Sequence, residues 1–238
     1  MITANARFYF GYFMRNLNKM SICFDLDGTL IDTAPDLVRV LDLVIAEEGL
    51  SPTDFTEARK AVGYGSRALI KGAFQRASHK VSQDREDELQ QLFLKLYADD
   101  ICQLSRPFPG VVNTLKYLKN NGAELSICTN KPGYLARPLI EALELTPLFR
   151  RIVGSDDLVR NKPYADHIYK SAGHRGENGS IVMVGDSRPD VLAAMNAKVP
   201  SIVMSYGYST IPVIKLGADC ILRNFREIPS ALIRIVTS

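Results

Sequence analysis

The sequence predicts an α/β protein whose core is a doubly wound, Rossmann-like parallel sheet, interrupted once by an inserted helical domain. Three observations carry this. Short apolar runs rich in β-branched residues recur along the chain, bounded by Gly, Asp or Asn. Helical patterns separate most of them, as right-handed βαβ units require. One long stretch, from about Pro35 to Arg106, shows helical spacing and no convincing strand.

Taken in order, the strand-like runs are Ser21–Phe24, Glu124–Cys128, Arg151–Val153, Ile181–Val184, Ser201–Met204 and Asp219–Leu222. Val111–Lys119, Tyr134–Leu143 and Arg188–Ala197 place apolar residues three and four apart, the period of a helix with one buried face. In the insertion, Leu37, Leu41, Val44 and Ile45 share one helical face, and Leu89, Leu92, Phe93 and Leu96 another. The chain returns through Arg106-Pro107-Phe108-Pro109-Gly110, a hinge-like composition. The expected division is therefore 1–19 as an N-terminal extension, 20–34 with 107–238 as the α/β core, and 35–106 as the helical insertion. The aromatic cluster Phe8, Tyr9, Phe10, Tyr12 and Phe13 is too short for a secretory apolar segment, and Met14 and Met20 stand as alternative starts.

Composition narrows the function classes. The 29 basic and 26 acidic residues are dispersed, without the basic stripe of a nucleic-acid binder. No apolar run reaches the roughly 20 residues of a membrane span. Cys23, Cys102, Cys128 and Cys220 are widely spaced with no CxxC pair, which suits reduced residues in a cytoplasm. His79, His167 and His174 lack metal-ligand spacing and are expected in surface or loop positions. Monomer and homodimer both remain open.

The informative residues stand at strand ends, where doubly wound sheets bind their ligands. Asp25-Leu26-Asp27-Gly28-Thr29 follows the first strand, and Gly28 permits a sharp turn there. Gly185-Asp186-Ser187 closes the run Ile181–Val184, with Asp190 four residues on. Thr129 and Asn130 end another strand, and Asn161-Lys162-Pro163 sets a lysine before a proline suited to a helix's first turn. Four segments converging on one sheet edge fit phosphoryl transfer. A carboxylate attacks phosphorus, and a second carboxyl group protonates the leaving alkoxide, then takes a proton from water. Ionised carboxylates so close repel one another unless a divalent cation lies among them, so Asp25 and Asp186 imply a hard metal, magnesium fitting best. Thr129, Lys162 and backbone amides near Asp27 and Gly28 would supply donors to phosphoryl oxygens. A calcium loop is excluded because the later ligand positions after Asp25 hold Leu30 and Ile31.

These segments, DLDGTLIDT (25–33), SICTN (126–130), Lys162 and GDSRPD (185–190), resemble the four ordered motifs of the haloacid dehalogenase-like hydrolases. The resemblance extends over nearly the whole chain from Met20. It implies Asp25 as nucleophile, Asp27 as general acid and base, and Thr129 and Lys162 as phosphoryl-binding groups. It also implies a Mg2+ site formed by the Asp25 carboxylate, the Asp27 carbonyl and Asp186, supported by Asp190, and a helical cap closing over a small substrate. Gly28, Thr29 and Asn130 are expected on the substrate side. Val62-Gly63-Tyr64-Gly65, Thr129-Asn130-Lys131-Pro132, Asp186-Ser187-Arg188 and Tyr206-Gly207-Tyr208 resemble the bacterial phosphoglycolate phosphatases, with Pro189 and Tyr64 as departures. Tyr64 is expected to face substrate, and Arg67 or Lys71, one turn apart, to meet its carboxylate. The expected partner is a small phosphorylated metabolite. A dehalogenase would need neither Asp27 nor Asp186, and a silent binding module would be expected to lack Asp25, Asp27, Lys162 or Asp186. A phosphosugar mutase shares the motifs and remains a rival.

Overall fold

The computed structural model describes residues 17, 18, 20–176 and 180–237; of the N-terminal extension, the aromatic cluster at 8–13 and Met14 lie outside the described residues. Six parallel strands form the sheet: β1 (Met20–Phe24), β4 (Glu124–Cys128), β5 (Arg151–Val153), β6 (Ser180–Gly185), β7 (Ser201–Met204) and β8 (Cys220–Leu222). They lie in the order β5-β4-β1-β6-β7-β8. Counted by appearance within the sheet, that order is 3-2-1-4-5-6, with the direction of winding reversing between β1 and β6. The expected strands agree to within a residue at each end.

Period-two alternation within these strands buries both faces. Ile22, Phe24, Leu125, Ile127, Val182 and Val184 point to one side, where they meet α5 (Val111–Asn120), α6 (Gly133–Ala142) and α9 (Ile228–Thr237). Cys23, Cys128, Ile181 and Met183 point to the other, against α7 (Ala165–Ala172) and α8 (Arg188–Ala197). The four cysteines are free, with Cys23 and Cys128 buried and Cys102 and Cys220 half-buried. Among the described residues no helix is long and apolar enough to cross a membrane.

The insertion holds α1 (Ala34–Ala46), α2 (Phe55–Arg59), α3 (Ser66–Arg76) and α4 (Gln83–Asp99). Their apolar stripes meet in a cluster of their own, in which Leu37, Leu41, Val44, Ile45, Leu89 and Phe93 are buried and Leu92 and Leu96 partly so. One feature escaped the periodicity argument. The chain leaves the core through β2 (Ile31–Asp32) and returns through β3 (Arg106–Pro107), and these two-residue strands pair antiparallel. Two residues are too few to produce an alternation signal, so the returning segment reads only as a hinge.

Asp36 locks the return. Its buried Oδ2 accepts hydrogen bonds from the Leu104 and Ser105 amides at 2.9 and 2.7 Å and from the Ser105 hydroxyl at 2.7 Å, while Oδ1 accepts from Arg39. Burial works to raise its pKa, but these donors together hold it below the usual carboxylate value. Asp36→Ala would leave several buried donors unpaired. It is expected to destabilise the protein by about 2–4 kcal/mol, read as a lowered urea midpoint, with Asp36→Asn costing less.

Candidate active site

The first carboxylate is placed by the sheet itself. The Asp25 amide donates to the Val184 carbonyl at 2.8 Å, continuing the β1–β6 ladder, so Asp25 stands where both strands end. The chain then turns at Gly28, whose φ of +87° lies in the left-handed region. A Cβ there would fall 2.7 Å from Asp186 Oδ2 and 2.8 Å from the Tyr208 ring, so only glycine lets the loop pack beneath the second carboxylate. Asp186, at the end of β6, accepts from the Tyr208 amide at 2.6 Å through Oδ2 and from the Thr29 hydroxyl at 3.3 Å through Oδ1.

Lys162 is wedged among these acids. Its buried Nζ lies 2.7 Å from Asp25 Oδ1 and 2.6 Å from Asp190 Oδ1. Asp190 Oδ2 in turn accepts from the amides of Asp186 and Ser187 and from the Ser187 hydroxyl, which closes the first turn of α8. Burial opposes the ammonium charge, but Asp190 and Asp25 outweigh it and hold Lys162 protonated. One cation does not balance three acids. Burial first, then repulsion from Asp190 and Asp27 against the pull of Lys162, lifts the Asp25 carboxyl to about 7. Burial and the charges of Asp190 and Asp25 raise Asp186 as well.

Ligand oxygens from Asp25, Asp186 and Asp190 lie within 4.8 Å of one another. An all-oxygen, buried donor set with surplus negative charge fits a hard divalent cation. The Asp27 side chain is not part of that trio.

Asp27 belongs to a second polar group. Its Oδ1 accepts from the Thr33 hydroxyl at 2.7 Å and from Lys131 Nζ at 3.1 Å. Lys131 is buried, with its ammonium over the Tyr97 ring, 4.5 Å from the ring centroid. Burial works against this charge too, but Asp27 keeps it. Both groups open on a cavity of about 380 Å³ between the sheet edge and the cap, whose wall includes Asp25, Asp27, Thr129, Lys131, Lys162 and Asp186.

The remaining expected residues fall in several places. Thr129 is buried on the cavity wall, its hydroxyl accepting the Lys131 amide at 3.1 Å. Asn130 also lines the cavity, and its side-chain amide donates to the Lys162 carbonyl at 3.0 Å. Thr29 corrects the expectation of a substrate contact: it is fully buried beneath Asp186, its carbonyl accepting from the Tyr206 hydroxyl. Gly28 likewise serves the turn under Asp186. Tyr64 reaches the cavity from the cap and shares a 2.5 Å hydrogen bond with Thr210 of the core. Arg67 lines the cavity but pairs with Asp87 at 2.7 Å, while Lys71 pairs with Glu86 at 3.5 Å and is not among the lining residues.

Two local expectations are overturned. Pro163 does not open a helix: the Lys162–Pro163 bond is cis and α7 begins at Ala165. His167 and His174 are buried rather than superficial, and His79 is half-buried against Glu48. His174 Nδ1 accepts the Gly176 amide and Nε2 bonds the Ser21 hydroxyl at 2.8 Å. His167 Nδ1 accepts the Lys162 amide at 3.2 Å, and Nε2–H donates to the Val153 carbonyl at 3.1 Å. That carbonyl also receives the Thr129 amide, so His167 ties the Lys162 loop to the Thr129 strand end. Lone histidines carry no spacing signal, which is why this brace was invisible in the sequence. Lys131, Tyr97 and Thr33 were also missed, Lys131 although it directly follows Thr129-Asn130.

A sheet of this order with this arrangement of acids belongs to one class. A family model described as haloacid dehalogenase-like hydrolase matches residues 22–204, and the chain belongs to that family. Within it, the chain is 42% identical over 226 residues to a phosphoglycolate phosphatase of Caulobacter vibrioides, covering 94% of this chain and 95% of the relative. It is 40% identical over 227 residues to a phosphoglycolate phosphatase of Agrobacterium fabrum, covering 94% and 96%. The crystal structure of a predicted phosphoglycolate phosphatase from Haemophilus somnus superimposes with a TM-score of 0.81 at 28% identity, covering 90% of this chain and 97% of that one.

His167 yields a pH prediction. Burial, then the Lys162 charge, lowers its pKa from 6.5 to about 4. An unfolded imidazole protonates near 6.5 and the folded one only near 4, so unfolding takes up a proton in that window and stability falls as pH drops through it. His167→Gln, which cannot protonate, is expected to be less stable than wild type at pH 7. The gap should narrow by on the order of 2–3 kcal/mol toward pH 4, measured by chemical denaturation across that range.

Proposed function

We propose that this protein is a magnesium-dependent phosphatase hydrolysing a small phosphomonoester, 2-phosphoglycolate to glycolate and phosphate, through an aspartyl-phosphate on Asp25. The observation that carries the reading is the convergence of Asp25, Asp186 and Asp190 around Lys162, opening on a capped cavity of small-molecule size. The two phosphoglycolate phosphatases matched over nearly their whole length support the choice of substrate. Four free cysteines suit a reducing cytoplasm.

In this reading the substrate's phosphoryl group enters beside Asp25 and receives hydrogen bonds from Thr129, Lys162 and the backbone amides between Asp25 and Gly28, whose own amides donate to Val184 and Ile31. Asp25, Asp186 and, in support, Asp190 would hold Mg2+, with the Asp27 carbonyl as a further oxygen ligand. Bound there, the cation would offset the clustered negative charge and polarise the phosphoryl oxygens. The Asp25 carboxylate forms a bond to phosphorus as the bond from phosphorus to the ester oxygen breaks. The Asp27 carboxyl gives its proton to the departing oxygen, releasing the alcohol. Asp27, now ionised, takes a proton from water as the water oxygen bonds to phosphorus, and the Asp25–phosphorus bond breaks. Inorganic phosphate leaves, with Asp25 free and Asp27 protonated again. Lys162 keeps the Asp25 carboxylate fixed in direction throughout, and the cap keeps bulk water from the phosphoenzyme.

Two measurements test this. EDTA is expected to abolish phosphate release from 2-phosphoglycolate, and added magnesium to restore it; turnover that persists without metal would refute the mechanism. Asp25→Asn is expected to lower kcat by roughly 10³-fold or more. Near-normal activity would move the nucleophile elsewhere. Phosphate release also separates the phosphatase from a mutase, which would return an isomeric sugar phosphate.

A further inference from the structure

Two residues of the cavity wall have no part in the reaction just described: Lys131 of the core and Tyr97 of α4 in the cap. Tyr97 is 1% exposed, yet its hydroxyl makes no hydrogen bond of ordinary length and angle with a described residue, the Lys131 ammonium being the polar group that acts on it. A buried hydroxyl is costly to leave unpaired, and such groups are exceptional enough to need a reason. Lys131 is 8% exposed, and an ammonium carries three donors, of which Asp27 engages only a part.

Substrate chemistry fixes where a second anionic group must sit. In 2-phosphoglycolate a single methylene separates the ester oxygen from the carboxyl carbon. The ester oxygen must lie within hydrogen-bond reach of Asp27, the group that protonates it. The carboxylate is therefore held close to Asp27, which becomes an anion as it gives up its proton and would then repel the carboxylate unless a cation stands between them. Among the described residues, the cations on the cavity wall are Arg67, Lys131 and Lys162. Lys162 is committed to Asp25 and Asp190. Arg67 is answered by Asp87, and its side chain is 42% exposed. Lys131 is paired with Asp27 itself and is shielded from solvent.

We propose that Lys131 and Tyr97 form the subsite that recognises the substrate carboxylate, the ammonium taking its charge and the Tyr97 hydroxyl donating a hydrogen bond from the cap. The subsite rests on the phosphoglycolate reading and makes recognition depend on both halves of the molecule. A substrate without the second anion leaves the Tyr97 hydroxyl unpaired, so the site rejects it by omission as well as by lost attraction. The cap arginine at position 67 is left to its pairing with Asp87.

The test compares kcat/KM for 2-phosphoglycolate with that for ethyl phosphate, which carries a methyl group in place of the carboxylate. The ratio of the two is independent of how much of a preparation is folded and active, so a poorly folding variant remains informative. Lys131→Met is expected to lower the ratio about tenfold or more, and Tyr97→Phe, which keeps the ring, several-fold through KM for phosphoglycolate. Arg67→Ala should move the ratio less than either. A ratio unchanged in Lys131→Met or in Tyr97→Phe, or one that collapses only in Arg67→Ala, overturns the subsite while leaving the phosphoglycolate reading intact. A wild-type enzyme that shows no preference for phosphoglycolate over ethyl phosphate overturns both.

Discussion

The ammonium of Lys162, buried between Asp25 and Asp190, is the constraint on which the site depends. Withdrawing that charge from water is expensive, and the two carboxylates that offset the loss are themselves buried. A pair of this kind contributes little net stability. It does fix geometry, because the lysine settles only where both acids meet it. Three parts of the chain are thereby brought together: the end of β1, the start of α8, and the loop before α7 that carries Lys162. His167 completes the arrangement from behind by holding the Lys162 amide and the Val153 carbonyl at once.

A second polar group, built on Asp27, is organised differently. Its cation comes from the core and the aromatic ring over that cation from the cap, so it spans the two halves of the molecule. The Lys162 group belongs wholly to the core. This separation matches the division of labour in the proposed reaction: phosphorus is handled by groups that the sheet fixes, and the leaving group by groups that straddle the cavity.

Much of this was legible in the sequence because β-strands in a doubly wound sheet are buried on both faces. Ser21–Phe24 and Ile181–Val184 are near-continuous apolar runs, and the first polar residues after them, Asp25 and Asp186, mark the site without further information. Asp190 was readable for a similar reason, since it opens a helix whose apolar period is plain. What stayed hidden depends on long-range contact. Tyr97 reads as one more apolar position of α4, and no local pattern reveals that a lysine 34 positions later lies over its ring. Thr29 misled in the opposite direction, because its place beside Asp25 and Asp27 gives no hint that its side chain turns down toward Asp186.

The pairing of β2 with β3 has a consequence for how such a protein diversifies. Ile31 faces Pro107 and Asp32 faces Arg106, and the Phe108 amide donates to the Leu30 carbonyl, so the outgoing and incoming chains are stitched together at the threshold of the core. Residues 33–105 thus hang from a single closed neck. Insertions, deletions or wholesale replacement beyond that neck would reshape what lies over the cavity without displacing the loop that carries Asp25 and Asp27, allowing selection to alter the choice of substrate while the chemistry beneath is inherited intact.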